Sequence, residues 1–386
     1  MRRVYLDNNA TTPVLPEVLE AMRPYFSEQF GNASSIHQDG QQARSAVERA
    51  RESVAALLGA RSSEVVFTSG GTEGDNTSLF GMVKAGDHII TTVIEHEAVL
   101  NSCKRLEQLG CEVTYLRVNG ECLVDPDDVR RALRPNTKLI SVMMANNETG
   151  VLQPLEEIGK IAAEADVYFH TDAVQAAGKV QVDVKAIRCD LLAISGHKFH
   201  APKGVGALYV RKGTLVQPLF YGGKHERSRR AGTENVPAIV GLGKAAEIAR
   251  EGLTNGTMER IHAMRDRIES TVTSTIEATG VNGGGAPRVP NTANVHLDYV
   301  EGEAMVIALD LKGIAVSTGA ACSSGATEPS HVLMAMGVSP EHARGSMRFS
   351  LGKMNTSEDV DYFLSVLPEV LARLRELSPM YAKSIG

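Results

Sequence analysis

Two stretches, Val167-Tyr168-Phe169-His170-Thr171-Asp172 and Leu191-Leu192-Ala193-Ile194-Ser195-Gly196-His197-Lys198, decide how this chain folds. Each is a short apolar run that follows a helical stretch and ends in residues able to do chemistry. A helix-covered parallel sheet puts such residues in the loops beyond the carboxyl ends of its strands. The same alternation continues outward in both directions. Residues 64–68, 88–92, 113–116 and 139–144 read as strands, and 40–60 and 99–109 carry apolar residues at helical spacing. The expected class is α/β, a mainly parallel, helix-covered sheet. Beyond Arg250-Glu251-Gly252 the pattern changes to a long helix over 258–278 and a Gly/Pro turn at 283–287. A strand at 293–297, a helix at 303–311, a strand at 347–351 and a last helix from 357 follow. This predicts a large domain over 15–255 and a smaller α+β domain over 256–386 that includes the N-terminal segment 1–14.

The 386 residues are 43% hydrophobic and 22% charged, too apolar for a disordered chain. A net charge of −6, no Trp and 5% aromatic residues argue against nucleic acid as a partner. The five cysteines, Cys103, Cys111, Cys122, Cys189 and Cys322, are odd in number and hold no CxxC, which disfavours a disulfide scaffold or a thiolate metal site. The first residues carry no apolar signal region, and no apolar run approaches the ~20 residues of a membrane span. A reduced, cytoplasmic setting without membrane or metal is the expectation.

Several loops stand out. Ser69-Gly70-Gly71-Thr72, at a strand-to-helix turn, is either a helix cap or an anion cup of backbone N–H groups and a hydroxyl. Lys198, at the exit of a buried strand, is either a surface lysine or a Schiff-base lysine made nucleophilic by desolvation. Asp172, at another strand end, caps a helix or holds a pyridinium nitrogen protonated. His96, in Ile94-Glu95-His96-Glu97, is a capping residue or a ring that stacks on a planar cofactor and moves protons. His197 and His200 have a spacing compatible with a metal but no third ligand in view. Arg348, in Ser346-Met347-Arg348-Phe349-Ser350, is an edge charge or an inward fork for a carboxylate. Cys322 lies among small residues from Ser317 to Thr327, which read as a mobile loop exposing a thiol. Together these are the parts of a pyridoxal-phosphate site for an amino acid, with a cysteine nucleophile added.

The sequence resembles the NifS/IscS-type cysteine desulfurases, in the fold-type I class of pyridoxal-phosphate enzymes. The markers run nearly end to end: Tyr5-Leu6-Asp7-Asn8-Asn9-Ala10-Thr11-Thr12-Pro13, Phe67-Thr68-Ser69-Gly70-Gly71-Thr72-Glu73, Glu95-His96, Ala145-Asn146-Asn147-Glu148-Thr149-Gly150, His170-Thr171-Asp172-Ala173-Val174-Gln175, Ser195-Gly196-His197-Lys198, Gly222 through Thr233, and Arg348-Phe349-Ser350-Leu351. The resemblance implies that Lys198 is the Schiff-base lysine, Asp172 the ring-nitrogen partner, Gln175 the partner of the phenolic oxygen and His96 the stacking ring. Gly71, Thr72, Ser195 and His197 would hold the phosphate, with Thr233 donated by the neighbouring subunit of a homodimer. Asn147 and Arg348 would hold the carboxylate of L-cysteine, and Cys322 would take its sulfur as a persulfide. The sulfur would then pass to an acceptor such as an iron–sulfur scaffold protein. Position 71 is Gly where many relatives carry a larger residue, and the chain stops soon after Tyr381, short of the tail some relatives dock with. The competing readings are a related lyase or aminotransferase, which needs no thiol, and a cofactor-binding scaffold without activity.

Overall fold

The computed structural model of the protein describes residues 2–318, 329–379 and 381. Its centre is a seven-stranded sheet in the order Val65–Thr68, Gly206–Val210, Leu191–Ser195, Tyr168–Asp172, Thr137–Ser141, His88–Thr92, Glu112–Leu116. All neighbours pair in parallel except Gly206–Val210, which runs antiparallel to both strands beside it. The α/β class expected from the alternation is the class observed. Strands buried on both faces need apolar or β-branched residues throughout, and Leu191–Ser195 is buried along its whole length.

Helices cover the sheet on both faces. Gln38–Leu58 and Val236–Gly252 pack so closely that a Cβ on Gly243 would stand 2.6 Å from the Ala50 backbone. Glycine is required there by that approach. The run Gly241-Leu242-Gly243-Lys244 is thus a packing device inside a helix.

A second sheet of three antiparallel strands, Ser346–Ser350, Thr292–Leu297 and Thr279–Val281, sits with Thr257–Thr275, Gly302–Leu311 and Ser357–Glu376. Val4 and Leu6 bury into the core these elements share, while Leu15 and Val18 bury into the core of the large sheet. The N-terminal segment therefore crosses from one core to the other. No helix among the described residues is long and apolar enough to cross a membrane. Cys103, Cys111, Cys122 and Cys189 are free and buried.

Candidate active site

The carboxyl ends of the parallel strands open on a cavity of about 330 Å³. Its wall brings together Gly71, Thr72, His96, Asn147, Asp172, Gln175, Ser195, His197, Lys198 and Arg348. These residues come from stretches spread over most of the chain, and strand register is what aligns them. Thr233 is exposed and lies outside this wall. Cys322 lies outside the described residues.

At one end stands the helix Gly71–Met82, whose first N–H groups have no carbonyl four residues back to bond. Glu73 shapes the turn: its Oε2 accepts from Ser69 N (2.8 Å), and its carboxylate is held by Arg230 at 2.9 and 3.2 Å. A Cβ on Gly71 would lie 2.5 Å from Val174 Cγ2, so this glycine lets the helix end approach the Asp172–Gln175 turn. Thr72, Ser195 and His197 add polar groups at the same end. Burial, with Lys198 and Lys203 nearby, pushes the His197 imidazole down to about 4, so the ring is neutral near pH 7. Its Nδ1 pairs with Thr11 Oγ1 at 3.1 Å. The helix end, hydroxyls and neutral imidazole suit a phosphate.

Acids gather deeper in the cavity. Asp172 Oδ1 accepts from Val174 N at 2.8 Å, which fixes the carboxyl at the strand end. Burial raises Asp172 and, much further, Asp75, whose charged neighbours are Asp172 and Glu95. Asp172 has His96, Lys198 and the Val174 N–H to hold its charge. Of the two, Asp172 is the better held in its charged form. Burial also lifts Glu95 to about 8 despite bonds from Met143 N and Thr92 Oγ1. His170, pushed down to about 3 by burial, sits with Nε2 3.4 Å from Asp75 Oδ1 and Nδ1 2.8 Å from Ser141 Oγ.

His96 caps the helix Glu97–Gln108, its Nδ1 accepting from Ala98 N at 3.1 Å. That bond places the proton of a neutral ring on Nε2. Capping and cavity-lining are therefore compatible. Lys198, in the turn after Leu191–Ser195, donates to Asn9 O (2.6 Å) and Ala10 O (2.9 Å). His197 and His200 do not share a ligand position: His200 Nδ1 turns instead to Pro13 O at 2.9 Å.

Arg348 is 3% exposed and its fork is already partly held. Nη1 donates to Asn147 O at 3.0 Å and Nη2 to Asp7 Oδ1 at 2.8 Å, while buried Nε has no hydrogen-bond partner among the described residues. A guanidinium fixed in this way on the cavity wall suits a carboxylate. Three participants escaped the sequence reading. Asp7 orients Arg348, Lys179 contacts Gln175, and Asn9 joins Lys198, Gln175 and Lys179 in one network. Asp7 and Asn9 stood in a quoted stretch, but nothing local tied them to residues so distant.

The cavity thus joins a lysine, a buried acid and a helix-end anion cup at the strand ends. Residues 4–363 match the family described as Aminotransferase class-V. The chain is 52% identical over 382 residues to "Cysteine desulfurase IscS" of Dictyoglomus turgidum, covering 98% of this chain and 97% of that protein. Among solved structures, a NifS-like protein superposes with a TM-score of 0.88 at 39% identity, covering 97% of this chain and 100% of that one. A structure described as SspA in complex with cysteine gives 0.79 at 38% identity, covering 92% and 100%. The chain belongs to the class-V aminotransferase family and, within it, to the cysteine desulfurases.

Proposed function

We propose that the cavity holds pyridoxal 5'-phosphate and L-cysteine, and that Cys322 takes the substrate sulfur as a persulfide, leaving L-alanine. The fit of the cofactor is supported by the donor set. The helix end at Gly71 and Thr72, with Ser195 and His197, suits its phosphate. Asp172 suits its ring nitrogen, Gln175 its ring oxygen, and Lys198 its aldehyde carbon. The space suits a small ring bearing a phosphate. When bound, pyridoxal phosphate supplies an electron sink for the pair left when Cα loses its proton.

The chain's own groups do the rest. Asp172, fixed by the Val174 N–H, keeps a negative charge opposite the ring nitrogen. Lys198, freed by the substrate amine, accepts the Cα proton as general base. Arg348 and Asn147 orient the substrate carboxylate, with Asp7 setting the angle of the guanidinium. His96, its Nδ1 tied to the backbone, offers Nε2–H for proton movement over the ring. The Cys322 thiolate attacks the substrate sulfur. One S–S bond forms, the Cβ–S bond breaks with its electron pair left on carbon, that carbon is then protonated to the methyl of alanine, and the proton held by Lys198 returns to Cα.

The same reading makes the molecule a homodimer, with Thr233 of each copy completing the neighbour's phosphate site. Exposure of Thr233 away from this copy's own cavity supports that. It gives 15–255 and 256–386, with 1–14, as the two domains, supported by the separate cores. The persulfide sulfur goes to an acceptor such as an iron–sulfur scaffold protein. The setting is a reducing cytoplasm, consistent with the free cysteines.

The observation that carries the proposal is the convergence of Lys198, Asp172 and Arg348 on one cavity. The test is incubation of the pure protein with pyridoxal phosphate, L-cysteine and a thiol, assaying alanine and sulfide together. Equal amounts of both are expected. Cys322→Ala should keep the yellow cofactor and lose sulfide release, and unchanged turnover in that variant would refute the persulfide route.

A further inference from the structure

Lys179 is a buried lysine to which no carboxylate among the described residues is bonded. Its Nζ donates to Gln175 Oε1 at 2.6 Å and to Asn9 Oδ1 at 3.0 Å. The charges that reach it are Lys198 and Arg348, both cations, and its own field reaches His200. Burying a lysine among cations is costly unless its N–H groups are needed where they are. It lies behind the cavity wall, so it does not itself meet substrate or cofactor.

Its effect falls on Gln175, which lines the cavity. An amide side chain has an acceptor end and a donor end that are sterically alike, and only its bonding partners decide which faces where. Here both ends are specified. The Lys179 amine donates to the oxygen. The NH2 group must then face the Asn9 carbonyl, to which Nε2 donates at 3.0 Å. Asn9 is itself pinned, its Oδ1 taking a second bond from Asn291 Nδ2 (3.0 Å) and its Nδ2 donating to Thr292 Oγ1 (2.9 Å). With one N–H given to the Asn9 carbonyl and the oxygen drawn toward the Lys179 amine, the second N–H is the donor Gln175 has left to offer the cavity.

We propose that Lys179 is a positioning residue that, with the Asn9 carbonyl, sets the Gln175 amide so that it meets a ligand in the cavity as a hydrogen-bond donor. The inference rests on the reading of the cavity as a pyridoxal-phosphate site, where the ring oxygen is an acceptor when ionised. Without Lys179 the amide oxygen loses its donor, only the Asn9 carbonyl still orients the group, and the N–H is aimed less firmly at that anion.

The test is a titration of full-length apoprotein with pyridoxal phosphate, followed by the visible absorption spectrum of each complex between pH 6 and 9. The proteins are wild type, Lys179→Met, Gln175→Leu and the double variant. Lys179→Met should bind pyridoxal phosphate about tenfold more weakly, as expected for one lost bond to a charged acceptor. It should raise the pH of the spectral transition and match Gln175→Leu, with the double variant no worse than either. Should Lys179→Met fail to fold, Lys179→Gln, with N–H donors on a shorter stem, should show a smaller shift in the same direction. A lower melting temperature with unmoved affinity and spectrum would mean a purely structural lysine and overturn the inference. Failure of wild type itself to bind the cofactor would instead overturn the reading of the site.

Discussion

Arg348 Nη2 and Asp7 Oδ1 meet at 2.8 Å, joining a strand of the second sheet to the N-terminal segment at the edge of the cavity. The aspartate takes one arm of the fork and the Asn147 carbonyl another, so the guanidinium is oriented before any substrate arrives. Preorganisation of this kind lowers the entropy lost when a carboxylate binds.

Asp7→Asn should therefore act mainly on KM. A neutral amide still occupies the place but holds the cation less firmly. KM for L-cysteine is expected to rise several-fold with kcat little changed, whereas Arg348→Met should lower kcat/KM by about 10- to 100-fold, the range for losing a charged hydrogen bond. Steady-state kinetics of the two variants checks both. Equal effects of the two on kcat alone would contradict the orienting role.

Gly71 and Val174 form a complementary pair. Gly71→Ala drives a methyl to within 2.5 Å of a β-branched side chain that has little rotamer freedom, at a cost of about 1–3 kcal/mol. Gly71→Ala combined with Val174→Ala should recover most of that stability. Chemical denaturation of the single and double variants measures the coupling. Val174 fills the space that a side chain at 71 would need.

Glu95 makes stability depend on pH. Its folded value of about 8 lies above its ordinary 4.5, so the folded state holds a proton that the unfolded state releases between these two values. Stability from this group is fully present below 4.5 and is lost as pH rises through about 8. Glu95→Gln keeps an oxygen for Thr92 and Met143 and removes the titration. The variant should gain relative to wild type as pH rises, and denaturation midpoints across that range would show it. A constant difference would place the titration elsewhere.

Glu226 and Arg51 form a buried pair, with Oε2 2.6 Å from Nη1 and Oε1 2.9 Å from Nη2. Glu226 Oε2 also accepts from Phe67 N at 3.0 Å, tying the segment before Thr233 to a strand of the sheet. Glu226→Ala removes the buried partner of the Arg51 guanidinium, leaving it Val65 O and the half-buried Glu48 at 3.3 Å, and should cost about 3 kcal/mol. Arg51→Met together with Glu226→Ala should cost less than Glu226→Ala alone. Urea unfolding of the three variants decides it.

The strands and the residues at their ends were legible because both signals are local. An apolar β-branched run followed by Ser-Gly or Thr-Asp needs no knowledge of the rest of the chain. Asp172, Lys198, His96 and Gly71 were reached in that way, and all line one cavity. The strand Gly206–Val210 went unread, and its antiparallel direction would not have been legible in any case, since strand composition says nothing of polarity. Lys179 was hidden for a different reason. It follows Ala176-Ala177-Gly178, a run of small residues, and its burial comes from Asn9 far away in sequence. Asn9 likewise acquires meaning only through Lys198, Gln175 and Asn291. Sequence patterns report local periodicity, and networks closed over long distances leave no periodic trace.

The N-terminal segment that passes between the two cores has a consequence for how the protein is made. Arg348 is synthesised 341 positions after its partner Asp7. The Asn9 carbonyl that receives Lys198 and the strand that bears Arg348 can share one wall only once that strand has been made. The large sheet can assemble earlier on the emerging chain, since domains fold as units in order of synthesis. Its catalytic cavity cannot. The nascent chain is thus a folded scaffold with an unfinished pocket, and the pocket matures only after the last strand has been delivered.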